Sequence, residues 1–264
     1  MAENKLHEID AKDVEKLTDF IRGAVERTGC KGLVVGLSGG IDSAVVTKLC
    51  VDAIGADRVL NIFMPTSVTA LDDYKGTRDL SKLWGTTYKM VDIQPAVDAF
   101  TAALFSKDIA PLERGNISAR CRMIVLFNNA KKRNYMVVGT SNRSELMMGY
   151  FTKFGDGASD MVPMADLYKT QVWEVAKIIG VPQEYIDKVP TAGLWEGQTD
   201  ESEMGVTYRD LDHVLNGFAL SMTDGEIAKD VGIPEAKVAE LRKQVAAMEH
   251  KRTPAYVPDV KFNV

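Results

Sequence analysis

The sequence has few cysteines and no long apolar run. Its three cysteines, Cys30, Cys50 and Cys121, are isolated and form no CxxC pair, so neither a disulfide framework nor a zinc site is indicated. The three histidines are too scattered to form a metal cluster. No apolar stretch approaches membrane-spanning length, and the first residues lack the apolar core of a signal peptide. We therefore expect a cytoplasmic protein that does not enter a membrane.

The chain has fewer basic than acidic residues. The 32 lysines and arginines are outnumbered by 37 aspartates and glutamates, which gives a net charge of −5. General nucleic-acid binding usually needs a basic surface, so no nucleic-acid partner is expected, although a few local cations could still hold a small polyanion. With 45% hydrophobic residues, the 264-residue chain can build one large α/β core, and we expect a single domain over residues 1–264.

What the sequence does contain is a glycine turn between a predicted strand and a predicted helix. An apolar run over residues 32–35 leads into Gly36-Leu37-Ser38-Gly39-Gly40-Ile41-Asp42-Ser43, and a helical pattern continues to residue 54. A helix N-terminus gathers unpaired N–H groups and partial positive charge, and adjacent glycines let a phosphate approach the backbone closely. The hydroxyl groups of Ser38 and Ser43 add donors. The turn is therefore predicted to bind phosphate.

Two common phosphate-binding motifs do not fit this turn. No Gly-Lys-Ser/Thr closes it, as a Walker A loop requires, and it is not a GxGxxG fingerprint. Without that lysine, a bound anion must be held by amides, hydroxyl groups and residues from elsewhere in the chain. Asp42 would repel a phosphate unless a cation lay between them, which favours magnesium. The alternative is a plain glycine turn in which Asp42 or Ser43 only caps the helix.

Strands and helices are predicted to alternate through the first half of the chain. Strands are expected over residues 32–35, 59–64, 87–93 and 135–139, and helices over 11–28, 43–54, 71–84, 95–105 and 117–132. This alternation predicts a doubly wound parallel sheet flanked by helices, with ligands at the carboxyl ends of the strands. Ser38 and Thr140 both follow strand ends, so they can face one site.

The second half of the chain lacks the regular alternation of predicted strands and helices. Residues 150–163 and 190–205 carry glycines, aromatics and charges without a clear period, and we expect them to be functional loops. A helix is predicted between them, over residues 166–180, and two more over 224–252.

Seven segments together resemble the ammonia-dependent NAD synthetases, over nearly the whole chain. They are residues 36–43, 115–123, 139–145, 149–157, 167–171, 190–200 and 250–252. The first segment is shared by all pyrophosphate-loop enzymes, whereas 149–157 and 190–200 single out this family. The resemblance implies an adenine-nucleotide alpha-hydrolase-like, Rossmann-like fold and a homodimer. It also implies the last step of NAD biosynthesis, in which ATP adenylates the nicotinate of deamido-NAD and ammonia displaces AMP.

The resemblance also implies a role for individual residues. ATP would contact the turn (Gly36, Leu37, Ser38, Gly39, Gly40, Ile41, Asp42 and Ser43) together with Thr140, Lys169 and Thr191. Deamido-NAD would contact Arg120, Lys153, Asp160, His250 and Lys251. Asp42 and Glu145 would bind Mg²⁺, and Asp42, Ser43 and Lys169 would be catalytic. Because the pyrophosphate loop begins at residue 36, no glutaminase domain is expected before it, and ammonia is the expected nitrogen donor.

Structural alternatives exist for these residues. Lys169 could be a surface helix lysine, Glu145 an ordinary charge in a first helical turn, and Arg120 a solvated or interface residue. The apolar residues of the predicted helix at 117–127 could belong either to the core or to a dimer interface; they are Ile117, Ile124, Val125 and Phe127.

Two other functions are compatible with the sequence. One is another pyrophosphate-loop adenylating enzyme, similar to GMP synthetase or to a tRNA-thiolating enzyme, although no reactive cysteines or basic appendage are visible. The other is a nucleotide-binding regulatory or electron-transfer subunit, which would not need Asp42 and Glu145 as a pair of metal-binding carboxylates.

Overall fold

Four parallel strands form the centre of the fold in the computed structural model, which describes residues 4–104, 109–191, 199–253 and 255–257. The strands are β1 (Gly32–Gly36), β2 (Val59–Phe63), β3 (Thr87–Met90) and β4 (Tyr135–Val138). They pair in the order β3-β2-β1-β4, and all three pairings are parallel. The predicted parallel sheet is therefore confirmed. The chain winds outward from β1 in both directions, which places the switch in strand order between β1 and β4.

Helices cover the sheet and continue into the C-terminal half. They are α1 (Ala11–Thr28), α2 (Ile41–Ile54), α3 (Leu71–Trp84), α4 (Gln94–Ala103), α5 (Pro111–Arg133), α6 (Arg143–Met148), α7 (Lys169–Ile178), α8 (Gln183–Ile186), α9 (Asp200–Met204), α10 (Tyr208–Ala219), α11 (Asp224–Val231), α12 (Glu235–Ala247) and α13 (Glu249–Arg252). Among the described residues, no helix is both long enough and apolar enough to span a membrane.

The strand residues pack into two apolar layers, one on each face of the sheet. Leu33 and Val35 of β1 point to the layer that contains α1, α2 and α7, whereas Val34 points to the layer that contains α4 and α5. All three side chains are fully buried, which explains why the strand reads as a continuous apolar run rather than an alternating one. β3 lies at the edge of the sheet, where Met90 is about half exposed.

A third apolar cluster lies outside the sheet and joins α10, α11 and α12. Its centre consists of fully buried side chains, among them Leu211, Leu215, Ile227 and Leu241. Trp173 of α7 packs against both this cluster and the layer around α2, so it connects the C-terminal helices to the sheet.

The predicted helices differ from the observed ones in the second half of the chain. Residues 190–205 were expected to be irregular, but α9 forms within them; Thr199 caps its first turn and Gly205, with a positive φ, ends it. Three helices rather than two occupy residues 224–252, because α12 ends at Ala247 and α13 begins at Glu249. Residues 150–163 contain turns and one isolated bridge, as expected for a loop.

The apolar residues of α5 are divided between core and surface. Ile117, Val125 and Phe127 pack partly against the layer formed with β1 and β2. Ile124 is 52% exposed, so it is the member of this set that the monomer leaves uncovered.

Candidate active site

The glycine turn between β1 and α2 presents free backbone donors. Within the described ranges, the N–H groups of Gly39, Ile41, Asp42 and Ser43 donate to no acceptor. The hydroxyl group of Ser43 holds the turn in shape, since its Oγ accepts from the amide of Ser38 at 3.1 Å and donates to the carbonyl of Gly40 at 2.9 Å. These amides, together with the N-terminus of a 14-residue helix, have the geometry that the predicted binding of an anion requires.

Glycine is required at position 39. Its φ of 90° lies in the left-handed region, and a Cβ there would come within 2.6 Å of Asp73 Oδ1. A larger residue would therefore both strain the backbone and displace the α3 side chain that packs against the turn.

Two carboxylates and one lysine meet beside the turn. The Lys169 amine is hydrogen-bonded to Asp42 Oδ2, and it lies 3.5 Å from Glu145 Oε1. Asn142 Nδ2 donates to the other oxygen of Asp42 at 3.0 Å. The three charged residues come from α2, α6 and α7, which begin close together at the carboxyl edge of the sheet. The predicted Asp42, Glu145 and Lys169 are thus brought together.

Glu145 is positioned by a capping box at the start of α6. Asn142 Oδ1 accepts from the Glu145 amide at 3.0 Å, and Glu145 Oε2 accepts from the Asn142 amide at 3.2 Å. Glu145 is therefore a charge in a first helical turn, as its structural alternative states. Its second oxygen nevertheless remains directed at Lys169.

Lys169 is buried, so the surface-lysine alternative is wrong. Only 1% of the residue is exposed, and its amine lies 5.4 Å from the ring centre of Tyr208. Burial by itself would lower the pKa of Lys169, but the negative charges of Asp42 and Glu145 outweigh it and raise the pKa. The lysine is therefore charged throughout the physiological range.

Carboxyl groups outnumber cationic side chains at this site. Burial, followed by the charge of Asp42, raises the pKa of Glu145 to about 8. Burial also raises the pKa of Asp200, a nearby carboxyl group whose Oδ2 accepts from the Tyr208 hydroxyl at 2.9 Å. Asp200 Oδ1 is buried without a hydrogen-bond partner in the described part of the chain. Three carboxyl groups thus share one lysine, an arrangement that favours binding a further cation.

The donor set fits magnesium. Mg²⁺ is usually held by one or two carboxylates, with the remaining positions taken by water and substrate phosphates. Asp42 and Glu145 supply two carboxylates beside free amides that suit a phosphate. Among the described residues, no group of three or more histidines, cysteines or acidic residues has the geometry of a protein-only metal site.

A second group of predicted residues gathers around the loop after α6. An Arg120 guanidinium nitrogen donates to the carbonyl of Lys153 at 3.3 Å. The Lys153 amine donates to the carbonyls of His250 and Thr253, at 2.6 and 2.7 Å. Three segments of the resemblance, on α5, the loop and α13, are therefore joined by hydrogen bonds.

Lys251 connects this second group to α6. Its amine donates to the carbonyls of Gly149 and Phe151, at 2.7 and 2.8 Å. Gly149 ends α6, four residues after Glu145, which is about 6 Å along a helix axis. Lys251 therefore links the second group of residues to the helix that carries Glu145.

The remaining predicted residues are less closely tied to either group. Asp160 Oδ2 accepts from the amide of Val137 at 2.7 Å, which fixes the loop to β4. Thr140 follows β4, the neighbour of β1, so it lies at the same sheet edge as the turn. Thr191 is exposed and lies just after α8.

Several residues of the site were not found from the sequence. Asn142 could have been recognised, since Asn142-Arg143-Ser144-Glu145 has the spacing of a capping box. Tyr208 carries no local signal, because it reaches the site only through the packing of α10. Asp200 ends the segment 190–200 of the resemblance, which implied no role for it. Lys188 also reaches the turn, with its amine 3.0 Å from the carbonyl of Gly39.

Comparison with known proteins agrees with the sequence pattern. Residues 13–255 match the model of the NAD synthase family. An NH₃-dependent NAD⁺ synthetase of Thermococcus sibiricus is 43% identical over 251 residues, which cover 95% of this chain and 98% of that protein.

Two solved structures have the same fold. An NMN synthetase of Francisella tularensis is 36% identical with a TM-score of 0.83, covering 94% of this chain and 98% of its own. An NH₃-dependent NAD synthetase of Campylobacter jejuni is 29% identical with a TM-score of 0.80, covering 95% and 100%. These similarities confirm the predicted fold class.

Proposed function

Because the chain belongs to the NAD synthase family, we propose that the turn at Gly36–Ser43 and its neighbouring charged residues are the active site of an ammonia-dependent NAD synthetase. The reaction is the ATP-dependent amidation of deamido-NAD to NAD. The observation that carries the proposed site is the meeting of Asp42, Glu145 and Lys169 beside unpaired amides. The other pyrophosphate-loop functions are not favoured by the relatives.

The carboxylate of nicotinate is a poor electrophile and must be activated before ammonia can attack it. A nicotinate oxygen attacks the α-phosphorus of ATP, the bond between the α-phosphorus and the bridging oxygen breaks, and its electron pair leaves with pyrophosphate. Ammonia then adds to the carbonyl carbon of the mixed anhydride, AMP departs, and one proton is lost to give the amide. The free amides of the turn suit the departing pyrophosphate, since oriented N–H dipoles stabilise charge that develops there. Ser43 keeps those amides in place through its bonds within the turn.

Asp42 and Glu145 would hold Mg²⁺, which would neutralise phosphate charge and orient the triphosphate. In the free protein Lys169 occupies the position between these carboxylates. From this position Lys169 would donate to an oxygen of ATP. Its burial keeps the amine within reach of the site and in one orientation.

Deamido-NAD would bind at the second group of residues. Arg120, Lys153 and Lys251 supply positive charge, and His250 lies beside them on α13. Asp160 anchors the same loop to the sheet. Thr140 and Thr191 would contact ATP at the sheet edge. Loop 150–163 would close over the adenylate and exclude water, which competes with ammonia; the companion segment 195–205 lies outside the described residues up to position 198.

We further propose that residues 1–264 act as one synthetase domain and assemble as a homodimer in the cytoplasm. The single domain is supported by Trp173, which packs against two of the apolar clusters. The dimer is supported by the exposed Ile124 on α5, the helix that also carries Arg120. Free cysteines at positions 30, 50 and 121 suit a reducing compartment.

A second candidate substrate is the mononucleotide. The similar Francisella tularensis structure is an NMN synthetase, so nicotinate mononucleotide should be tested beside deamido-NAD. Purified protein would be incubated with ATP, magnesium and ammonium and each acid in turn, and the products separated by mass spectrometry. We expect NAD, AMP and pyrophosphate in equal amounts from deamido-NAD. Faster conversion of the mononucleotide would reverse the substrate assignment, and no amide from either acid would refute the proposal.

A further inference from the structure

The turn at Gly36–Ser43 lacks the lysine that Walker loops use for phosphate, and the structure shows where cations approach it instead. Within the described residues, two lysine side chains hydrogen-bond to this turn. Lys169 reaches the Asp42 carboxylate, and Lys188 reaches the carbonyl of Gly39. Lys169 already lies between the two carboxylates, so Lys188 is the cation that is not committed to them.

Lys188 is held at the turn by an ion pair. Its amine lies 3.0 Å from the carbonyl oxygen of Gly39 and is also hydrogen-bonded to Asp73 Oδ1. Asp73 is in the first turn of α3 and lies against Gly39, on the side where a Cβ would clash. Two elements distant in sequence, α3 and the segment after α8, therefore place a charged pair on the backbone of the phosphate-binding turn.

Lys188 is more exposed than Lys169. The Lys188 side chain is 35% exposed, whereas that of Lys169 is 2% exposed. A partly exposed ion pair contributes little to stability, and a lysine side chain with several rotatable bonds can change partner at low cost. Lys188 also precedes Thr191 by three residues, on the segment that leads toward α9.

We propose that Lys188 leaves Asp73 when ATP binds and donates hydrogen bonds to the β- and γ-phosphates, and then to the departing pyrophosphate. This inference rests on the function proposed above. No proton moves in the step: the nicotinate oxygen bonds to the α-phosphorus, the electron pair of the broken bond leaves with pyrophosphate, and Lys188 stays protonated. A full positive charge close to the developing charge supplies what backbone dipoles alone do not.

The test measures the binding of inorganic pyrophosphate, with magnesium, by isothermal titration calorimetry. Lys188→Met removes the charge and should weaken pyrophosphate binding about 10- to 100-fold, the usual effect of one charge-assisted hydrogen bond. Lys188→Arg should restore most of the affinity. Asp73→Asn should bind pyrophosphate as tightly as the parent or more tightly, because it removes a repelling carboxylate and frees the lysine.

Lys48→Met is the matched control. Lys48 is on α2, the helix that begins at the turn, and its amine pairs with Asp52 Oδ2 at 2.6 Å, but it does not contact the turn. This variant loses an ion pair on the helix that follows the turn, and it should bind pyrophosphate like the parent.

Three results would overturn the inference. They are parent-like binding by Lys188→Met, equal losses in Lys188→Met and Asp73→Asn, and a loss in Lys48→Met as large as that in Lys188→Met. Equal losses would mean that the pair only holds the shape of the turn. If Lys188→Met does not fold, as judged by its unfolding transition, Asp73→Asn decides: unchanged or tighter binding supports the inference, and weaker binding refutes it.

A different observation would refute the proposed function. A parent protein that makes no NAD from deamido-NAD would refute the function, whatever the pyrophosphate affinities. A parent that makes NAD, together with a Lys188→Met variant that binds pyrophosphate normally, would refute only the role of Lys188.

Discussion

Replacing Glu145 by glutamine should make the metal-free protein more stable and the enzyme much slower. Glutamine keeps the shape of the side chain and an oxygen that can accept from the Asn142 amide. It removes a carboxylate whose pKa is raised to about 8 by burial and by the charge of Asp42. In a protein without magnesium, that carboxylate is a source of instability which the variant lacks.

The sign and size of the effect follow from proton linkage. Between pH 4.5 and 8 the folded state holds a proton on Glu145 that the unfolded state has lost, so the free energy of unfolding falls as the pH rises. Each pH unit in this window costs about 1.4 kcal/mol, which gives about 3 kcal/mol by pH 7. For a chain of this length, about 3 kcal/mol corresponds to a melting temperature roughly 5–10 °C higher in the variant.

The assay is thermal and urea unfolding in EDTA, from pH 5 to pH 8. The stabilisation by Glu145→Gln should be small near pH 5 and grow toward pH 8. Glu240→Gln serves as the control, because Glu240 is exposed in a surface pair with Lys237 and should show little change. In the presence of magnesium and substrates, Glu145→Gln should lose about 10²–10³ in the rate of adenylation. A variant no more stable than the parent at pH 8 would contradict this reasoning.

Three further predictions concern the reaction itself. Asp42→Asn should reduce pyrophosphate release by about 10²–10³, with partial recovery at raised magnesium if metal binding is the defect; parent-like turnover at low magnesium would show that Asp42 is only a helix-start carboxylate. At fixed total ammonium, turnover should rise with pH above neutrality because neutral ammonia is the nucleophile, and glutamine should not replace ammonium; equal rates with glutamine would contradict this. Hydrogen exchange in residues 150–163 and 199–205 should slow when ATP and deamido-NAD are added, and unchanged exchange would count against closure of these segments over the intermediate.

The first half of the chain could be predicted because its signals are local. The buried strands are short apolar runs, and the turn at Gly36–Ser43 is recognised by its glycines and by the helical pattern that follows. The helix over residues 71–84 was predicted with its observed bounds, and the strand order agrees with the placement of Ser38 and Thr140 at one edge.

The sequence could not show which side chains contact each other in the site. From the sequence, Lys169 could be either a surface lysine at the start of a helix or a lysine of the active site. Only the packing of α7 against α2 and α10 shows that it is buried between Asp42 and Glu145. Lys188 and Asp73 are 115 positions apart and meet only because α3 and the segment after α8 lie on the same side of the turn. Contacts of this kind depend on tertiary packing, which no local pattern encodes.

The most direct test of the central claim is to follow the oxygen that the nicotinate carboxylate loses. Deamido-NAD labelled with ¹⁸O in that carboxylate would be converted by the parent enzyme with ATP, magnesium and ammonium, and AMP and pyrophosphate analysed by mass spectrometry. If ATP adenylates the carboxylate, one labelled oxygen appears in the phosphate of AMP and none in pyrophosphate. Unlabelled AMP, or label in pyrophosphate or in inorganic phosphate, would show that the carboxylate is activated in another way and would contradict the mechanism.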